Sequence, residues 1–149
     1  MTRDDIITCA RSWLGTPYRH QASRKGAGAD CLGLLRGVWR EVIGPEPETM
    51  PPYTPNWAEA LKQETLLGAA RRHLIEIPLG DQQPGDVLLF RMGLGHPAKH
   101  CGILSAPDRL IHAYWGRSVC ETRLVPWWQR RCAAAFQWPG LTEMEARNG

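Results

Sequence analysis

The chain has 149 residues, 43% of them apolar and 22% charged, with a formal net charge of +3. That is the length of one domain with enough apolar residues for a core, which excludes an intrinsically disordered chain, and no basic arm or stripe points to nucleic acid. Five cysteines, an odd number without a Cys-x-x-Cys pair, exclude a fully paired disulfide scaffold and a zinc finger. Met1 to Cys9 is polar, so no secretory leader is expected there. The longest aliphatic and aromatic run, Val87 to Phe90, is far too short to cross a membrane.

Ile6, Ile7, Ala10, Trp13 and Leu14 follow helical spacing, with Thr2 as cap and Asp4 and Asp5 in the first turn. Gly15-Thr16-Pro17 ends that helix, and a Gly/Lys/Arg-rich loop runs from Arg19 to Ala29. Leu35, Val38, Trp39 and Val42 mark one face of a second helix, stopped by Gly44-Pro45. Five prolines between Pro45 and Pro55 predict an extended connector, after which Asn56 caps a third helix through Trp57, Leu61, Leu67 and Leu74. The period then changes. Leu74 to Ile77, Val87 to Phe90, Cys101 to Leu104, Leu110 to Tyr114, Val119 to Val125 and Ala133 to Trp138 read as sequential antiparallel strands. Helices followed by strands give the α+β class. The expected domain is 1–141, with 142–149 as a polar tail.

Among the cysteines, Cys31 stands apart. Asp30 is placed to cap the second helix, so Cys31 falls in its first turn, where backbone N–H groups and the helix dipole lower a thiol pKa from about 8.5 by one or more units. A thiolate nucleophile needs a proton carrier, and histidine serves at neutral pH. Of His20, His73, His96, His100 and His112, the last two lie on consecutive predicted strands that can form a hairpin. His100 is then the candidate base and acid, and His112 the group that fixes its orientation. Taken singly, Cys31 competes with a role as buried filler and each strand histidine with a role as a satisfied polar group. A zinc site from Cys31, His100 and His112 lacks a compact ligand pair and an obvious fourth ligand. The other four cysteines read as core, and Asp86 as turn and strand-start chemistry after Pro84-Gly85.

Five segments in order resemble the NlpC-type bacterial cell-wall cysteine peptidases. They are Gly15-Thr16-Pro17-Tyr18, Asp30-Cys31-Leu32-Gly33, Pro84-Gly85-Asp86-Val87-Leu88-Leu89-Phe90, His100-Cys101-Gly102-Ile103-Leu104 and Ile111-His112-Ala113. The resemblance implies a compact papain-like fold, with Cys31 as nucleophile, His100 as base and acid, and His112 as the orienting residue. It also implies that Tyr18 and Asp30 line the site, Tyr18 through its hydroxyl near the reacting centre and Asp30 through contact with the peptide stem. Two positions depart from the family: Leu32 stands where Ser is frequent after the nucleophile, and Cys101 where Val is frequent after the histidine. The Leu32 variant resembles a branch encoded with the tail genes of phages or gene transfer agents.

The expected activity is cleavage of peptidoglycan stem peptides between the γ-carboxyl of D-glutamate and diaminopimelate, with no metal or organic cofactor. Tail proteins are candidate partners; nucleic acid and membrane are not. The expected route is synthesis in the cytoplasm, then delivery to the wall by a phage-like particle or at lysis. Two alternatives stand beside it: a silent tail-tip adaptor docking through an exposed Trp115 or Trp127-Trp128 patch, and a related cysteine amidase or acyltransferase.

Overall fold

A computed structural model of the chain describes residues 1–47, 64–93 and 95–142. Helix α1 (Arg3–Arg11) begins as its sequence dictates: the Thr2 hydroxyl accepts from the Asp5 N–H at 3.1 Å, and the Asp5 carboxylate accepts from the Thr2 N–H at 2.8 Å. Within the stretch expected as loop, Ser23–Arg24 (β1) and Gly28–Ala29 (β2) pair as a short hairpin. Helix α2 (Cys31–Val42) follows at once. Helix α3 (Thr65–His73) covers only the end of the expected third helix: Glu64 before it is not helical and Leu74 after it is extended, while the expected cap Asn56, with Trp57 and Leu61, lies outside the described residues.

The strands are β3 (Ile75–Ile77), β4 (Val87–Arg91), β5 (Ala98–Ala106), β6 (Arg109–His112), β7 (Cys120–Arg123) and β8 (Cys132–Gln137). They form one sheet in the order β3-β8-β4-β5-β6-β7, every pair antiparallel. The α+β class expected from the sequence is therefore the observed one. The strand expected over Val119 to Val125 stops at Arg123, and a one-turn helix, α4 (Pro126–Gln129), follows with Pro126 opening it. Of the expected tail, Thr142 is tied to the Met1 carbonyl at 3.1 Å through its N–H, and 143–149 lie outside the described residues.

Alternation along the central strands sorts side chains to two faces. Leu89, Cys101, Ile103, Ile111 and Phe136 face α1 and α2 and join Ile6, Ala10, Trp13, Leu34 and Val38 in the larger core. Leu88, Phe90, Leu104, Leu110 and Ala135 form a smaller cluster on the other face. Close approach sets one helix contact: a Cβ on Gly37 of α2 would lie 2.0 Å from the Trp13 ring.

Asp86 does begin its strand by accepting from the Gln83 N–H at 2.8 Å. Its other oxygen meets Arg3 at 2.7 Å in a fully buried ion pair, a partner 83 residues away that local sequence does not reveal. Burial pushes the Asp86 carboxyl up, opposed by the Gln83 N–H and by Arg3. Removing one partner of such a pair costs about 3–5 kcal/mol.

Candidate active site

The nucleophile's position comes from one carboxylate. Asp30, buried at the N-terminus of α2, accepts from the Gly33 N–H at 2.7 Å with one oxygen and from the Gln21 N–H at 2.8 Å with the other. The first contact is the helix cap; the second fixes the approaching loop, in which Gln21 adopts a left-handed φ of 65°. His20 Nδ1 lies 3.8 Å from the same carboxylate. Gly33 is required where it stands, since a Cβ there would sit 1.8 Å from the Ala22 carbonyl oxygen. Cys31 is thus held at the first position of α2, partly buried, its Sγ 3.9 Å from the Lys99 carbonyl oxygen.

At Lys99 strand β5 is irregular: Phe90 pairs with His100, but Arg91 pairs with Ala98. Next to this bulge the side chains of both His100 and Cys101 hydrogen-bond to the Cys31 sulfur. Together they bring the Cys31 pKa down to about 5, Cys101's hydrogen bond contributing most, then the hydrogen bond and charge of His100; burial and the Asp30 charge pull the other way. The same contact and burial raise Cys101 well above an ordinary thiol, so the proton between the two sulfurs belongs to Cys101. The sequence argument relied on the helix start alone and assigned Cys101 to the core. It is in the core, completely buried, and it also touches the nucleophile.

His100 and His112 lie on the face opposite Cys101, as their strand positions require. His100 Nε2 is 2.9 Å from His112 Nδ1, and His112 Nε2 is 3.0 Å from the Thr122 hydroxyl. Gly102 makes room for this pair: a Cβ there would lie 3.0 Å from the His112 Cβ. Burial, and then the charge of His100, push the His112 pKa down to about 3, so His112 is neutral at physiological pH and carries one N–H. When His100 is charged it donates from both ring nitrogens, so His112 Nδ1 accepts from His100 Nε2–H and His112 Nε2–H donates to the Thr122 hydroxyl. His100 is left with Nδ1 for the exchange of a proton with Cys31.

Aromatic rings enclose the histidines. Trp128 of α4 lies 5.0 Å from the His100 ring and 5.2 Å from the His112 ring, centroid to centroid, and also meets Phe90 and Tyr114. Tyr18, bridged to Ala29 just before the nucleophile, packs its half-buried ring edge-on against Trp115 at 5.6 Å. Burial, followed by the negative charges of Asp30 and Cys31, pushes the Tyr18 hydroxyl up to about 12, which keeps it a donor. All five residues singled out by the sequence, Tyr18, Asp30, Cys31, His100 and His112, therefore fall in one neighbourhood. Sequence reasoning did not find Thr122, Trp128 or the second role of Cys101. Of these only Cys101 carried a signal, its departure from Val beside the histidine. Among the described residues, no group of three or more His, Cys, Asp or Glu side chains is placed to hold a metal ion.

Residues 15–137 match the model of the NlpC/P60 family. The chain belongs to that family. The NlpC/P60 domain is 29% identical over 127 residues to the "Probable endopeptidase NlpC" of Escherichia coli (strain K12), covering 81% of this chain and 71% of that protein. It is 25% identical over 138 residues to the "Gamma-DL-glutamyl hydrolase" of Bacillus subtilis (strain 168), covering 92% of this chain but only 30% of the relative. In fold it is similar to the solved NlpC/P60 domain of the peptidoglycan hydrolase SagA, with a TM-score of 0.64, 22% identity, and 92% and 99% of the two chains covered. The papain-like fold class is that of the NlpC/P60 family.

Proposed function

We propose that this NlpC/P60 domain is a cysteine endopeptidase that cuts peptidoglycan stem peptides at the bond between the γ-carboxyl of D-glutamate and diaminopimelate. The observation that carries the reading is the continuous line of contacts from the Cys31 sulfur through His100 and His112 to Thr122. A thiolate beside a proton carrier whose second nitrogen is held by a neutral acceptor is the minimum that acyl transfer from an amide requires. The names of the Escherichia coli and Bacillus subtilis relatives support peptide and γ-glutamyl substrates.

In this mechanism the Cys31 thiolate attacks the amide carbonyl and forms a tetrahedral oxyanion. The Gly33 and Leu34 N–H groups are occupied by the Asp30 carboxylate and carbonyl. The Cys31 and Leu32 N–H groups, at the start of α2, are the ones to receive the oxyanion. His100 Nδ1 gives its proton to the leaving amine of diaminopimelate, and the C–N bond breaks to leave a thioester. A water then gives a proton to His100, attacks the thioester and releases the thiolate and the glutamyl carboxylic acid, which ionises in solvent to the carboxylate. The Tyr18 hydroxyl serves as a donor to the bound stem. Asp30 acts through the cap and the Gln21 loop, and in this reading its charge contributes to contact with the peptide stem.

Delivery by a phage-like tail or at lysis completes the proposal, supported by the Leu32 variant of the nucleophile motif. An adaptor role is favoured by one observation, the exposure of Trp115 and Trp127 at 62% and 39%. Mass spectrometry of purified stem peptides incubated with the protein tests the reading. The γ-D-glutamyl-diaminopimelate bond should be cut by the native chain and left intact by Cys31→Ala. No cleavage by either would overturn the hydrolase and favour the adaptor.

A further inference from the structure

Cys101 is a buried nucleophilic group that the mechanism does not consume; it lies in the core cluster against which Cys31 packs, and its hydrogen bond is the largest cause of the lowered Cys31 pKa. The two thiols approach across the packing of α2 on β5, one at a helix start with partial exposure and one wholly enclosed. We propose that Cys31 and Cys101 form a reversible oxidation lock, in which a hydroperoxide oxidises Cys31 and Cys101 then closes a disulfide with it. In the first step the Cys31 thiolate attacks the peroxide oxygen and the O–O bond breaks, giving sulfenic acid and an alkoxide or hydroxide that takes a proton from solvent to leave as alcohol or water. In the second, the Cys101 sulfur displaces hydroxide from the Cys31 sulfenic sulfur, its own proton leaves with that hydroxide as water, and the S–S bond forms. Two equivalents of a thiol reductant restore both cysteines by exchange.

The remaining cysteines sharpen the pairing. The Cys9 thiol donates to Glu41 at 3.4 Å, Cys120 to the His112 carbonyl and Cys132 to the Ala134 carbonyl, each at 3.9 Å. All three are protonated at neutral pH, since burial raises them, Cys9 to about 12 and Cys132 to about 11. Cys31 is the thiolate that meets the oxidant, and Cys101 is the sulfur already against it, shielded from oxidation on its own account. The disulfide removes the nucleophile while protecting it from the irreversible sulfinic state.

The test treats the 149-residue chain with hydrogen peroxide and maps its peptides without reduction. Effects on activity rest on the hydrolase reading above; the covalent map does not, so the two fail separately. The native chain should lose two hydrogens in mass and yield a peptide linking Cys31 to Cys101, with most of its initial activity regained in dithiothreitol. Cys101→Ser, which keeps an O–H donor but no sulfur, should carry added oxygen on Cys31 and regain roughly tenfold less of its own initial activity. A native chain with oxygen accumulating on Cys31, with Cys31 linked to another cysteine, or with no reaction at Cys31 overturns the lock. Equal recovery by Cys101→Ser overturns it as well.

Discussion

The two faces of the six-stranded sheet are made by the same alternating strands and filled with different contents. The face toward α1 and α2 holds a broad aliphatic and aromatic core that includes the Cys101 thiol beside the site. The other face holds a small cluster, and on it the sheet places two histidines, a threonine and the rings of Phe90, Tyr114 and Trp128. Cys31 sits where β5 bulges and is touched from both faces, by Cys101 and by His100. Labour is divided between them: one face supplies stability and a hydrogen-bond donor for the resting thiolate, the other the proton traffic of the reaction.

That division breaks most visibly at His100. His100→Ala removes the proton carrier and leaves the core face intact, so kcat should fall by about a thousandfold or more, a barrier change of ~4 kcal/mol, with the thermal midpoint little changed. Stopped assays on a stem peptide, paired with a melting curve, read both numbers. The opposite pattern is expected from Phe136→Ala on the core face, where the side chain is fully buried. Loss of stability should be about 3–5 kcal/mol by urea denaturation, and kcat per folded molecule should stay within about twofold. A large loss of kcat in folded Phe136→Ala would show that the faces are not separable.

How far this division could be read in advance differs by face. The pairing of His100 with His112 was legible because two histidines on consecutive strands with a short connection must come close in a hairpin. The Asp30 cap was legible for the same local reason, an acid one residue before a helical period. Trp128 was not, because the expected strand ran to Val125 and hid the one-turn helix that carries this ring onto both histidines. Thr122 sits mid-strand in polar company, and only the β6–β7 register, His112 against Cys120 and Leu110 against Thr122, brings it diagonally to His112. Cys101 differs in the opposite way: its apolar neighbours place it in the core correctly, but a bulge two residues earlier gives it a second contact that no periodicity shows. The Arg3–Asp86 pair escaped for want of any local link between its members.

A pH profile tests the core face's share in the chemistry. Cys31 must be deprotonated to attack, so kcat/KM should be sustained down to the thiolate pKa and fall as pH drops through about 5. An ordinary thiol would place that limb near 8.5. Cys101→Val removes the largest contribution to the depression, and the limb should move upward by about one unit, a tenfold loss of thiolate on its acid side. Phe136→Ala should leave the limb in place. An unmoved limb in Cys101→Val would return Cys101 to packing alone.

The smallest effect is expected at the far end of the proton line. Thr122→Val keeps the shape of the side chain and deletes the acceptor for His112 Nε2–H, so a buried donor is left unpaired at a cost of about 1–3 kcal/mol unless the ring changes tautomer. Changing tautomer puts the proton on His112 Nδ1, facing His100 Nε2, which must then accept and so hold its own proton on Nδ1. In that state His100 cannot take a proton from the thiol or from water. The two costs oppose each other, and the cheaper one sets the effect: kcat should fall by roughly fivefold to tenfold with KM unchanged. Thr122→Ser restores an oxygen at the same place and should recover most of the rate, which a role in packing alone would not predict. Equal rates for Thr122→Val and the native chain would end the line at His112 and leave Trp128 and the strand register to hold the ring.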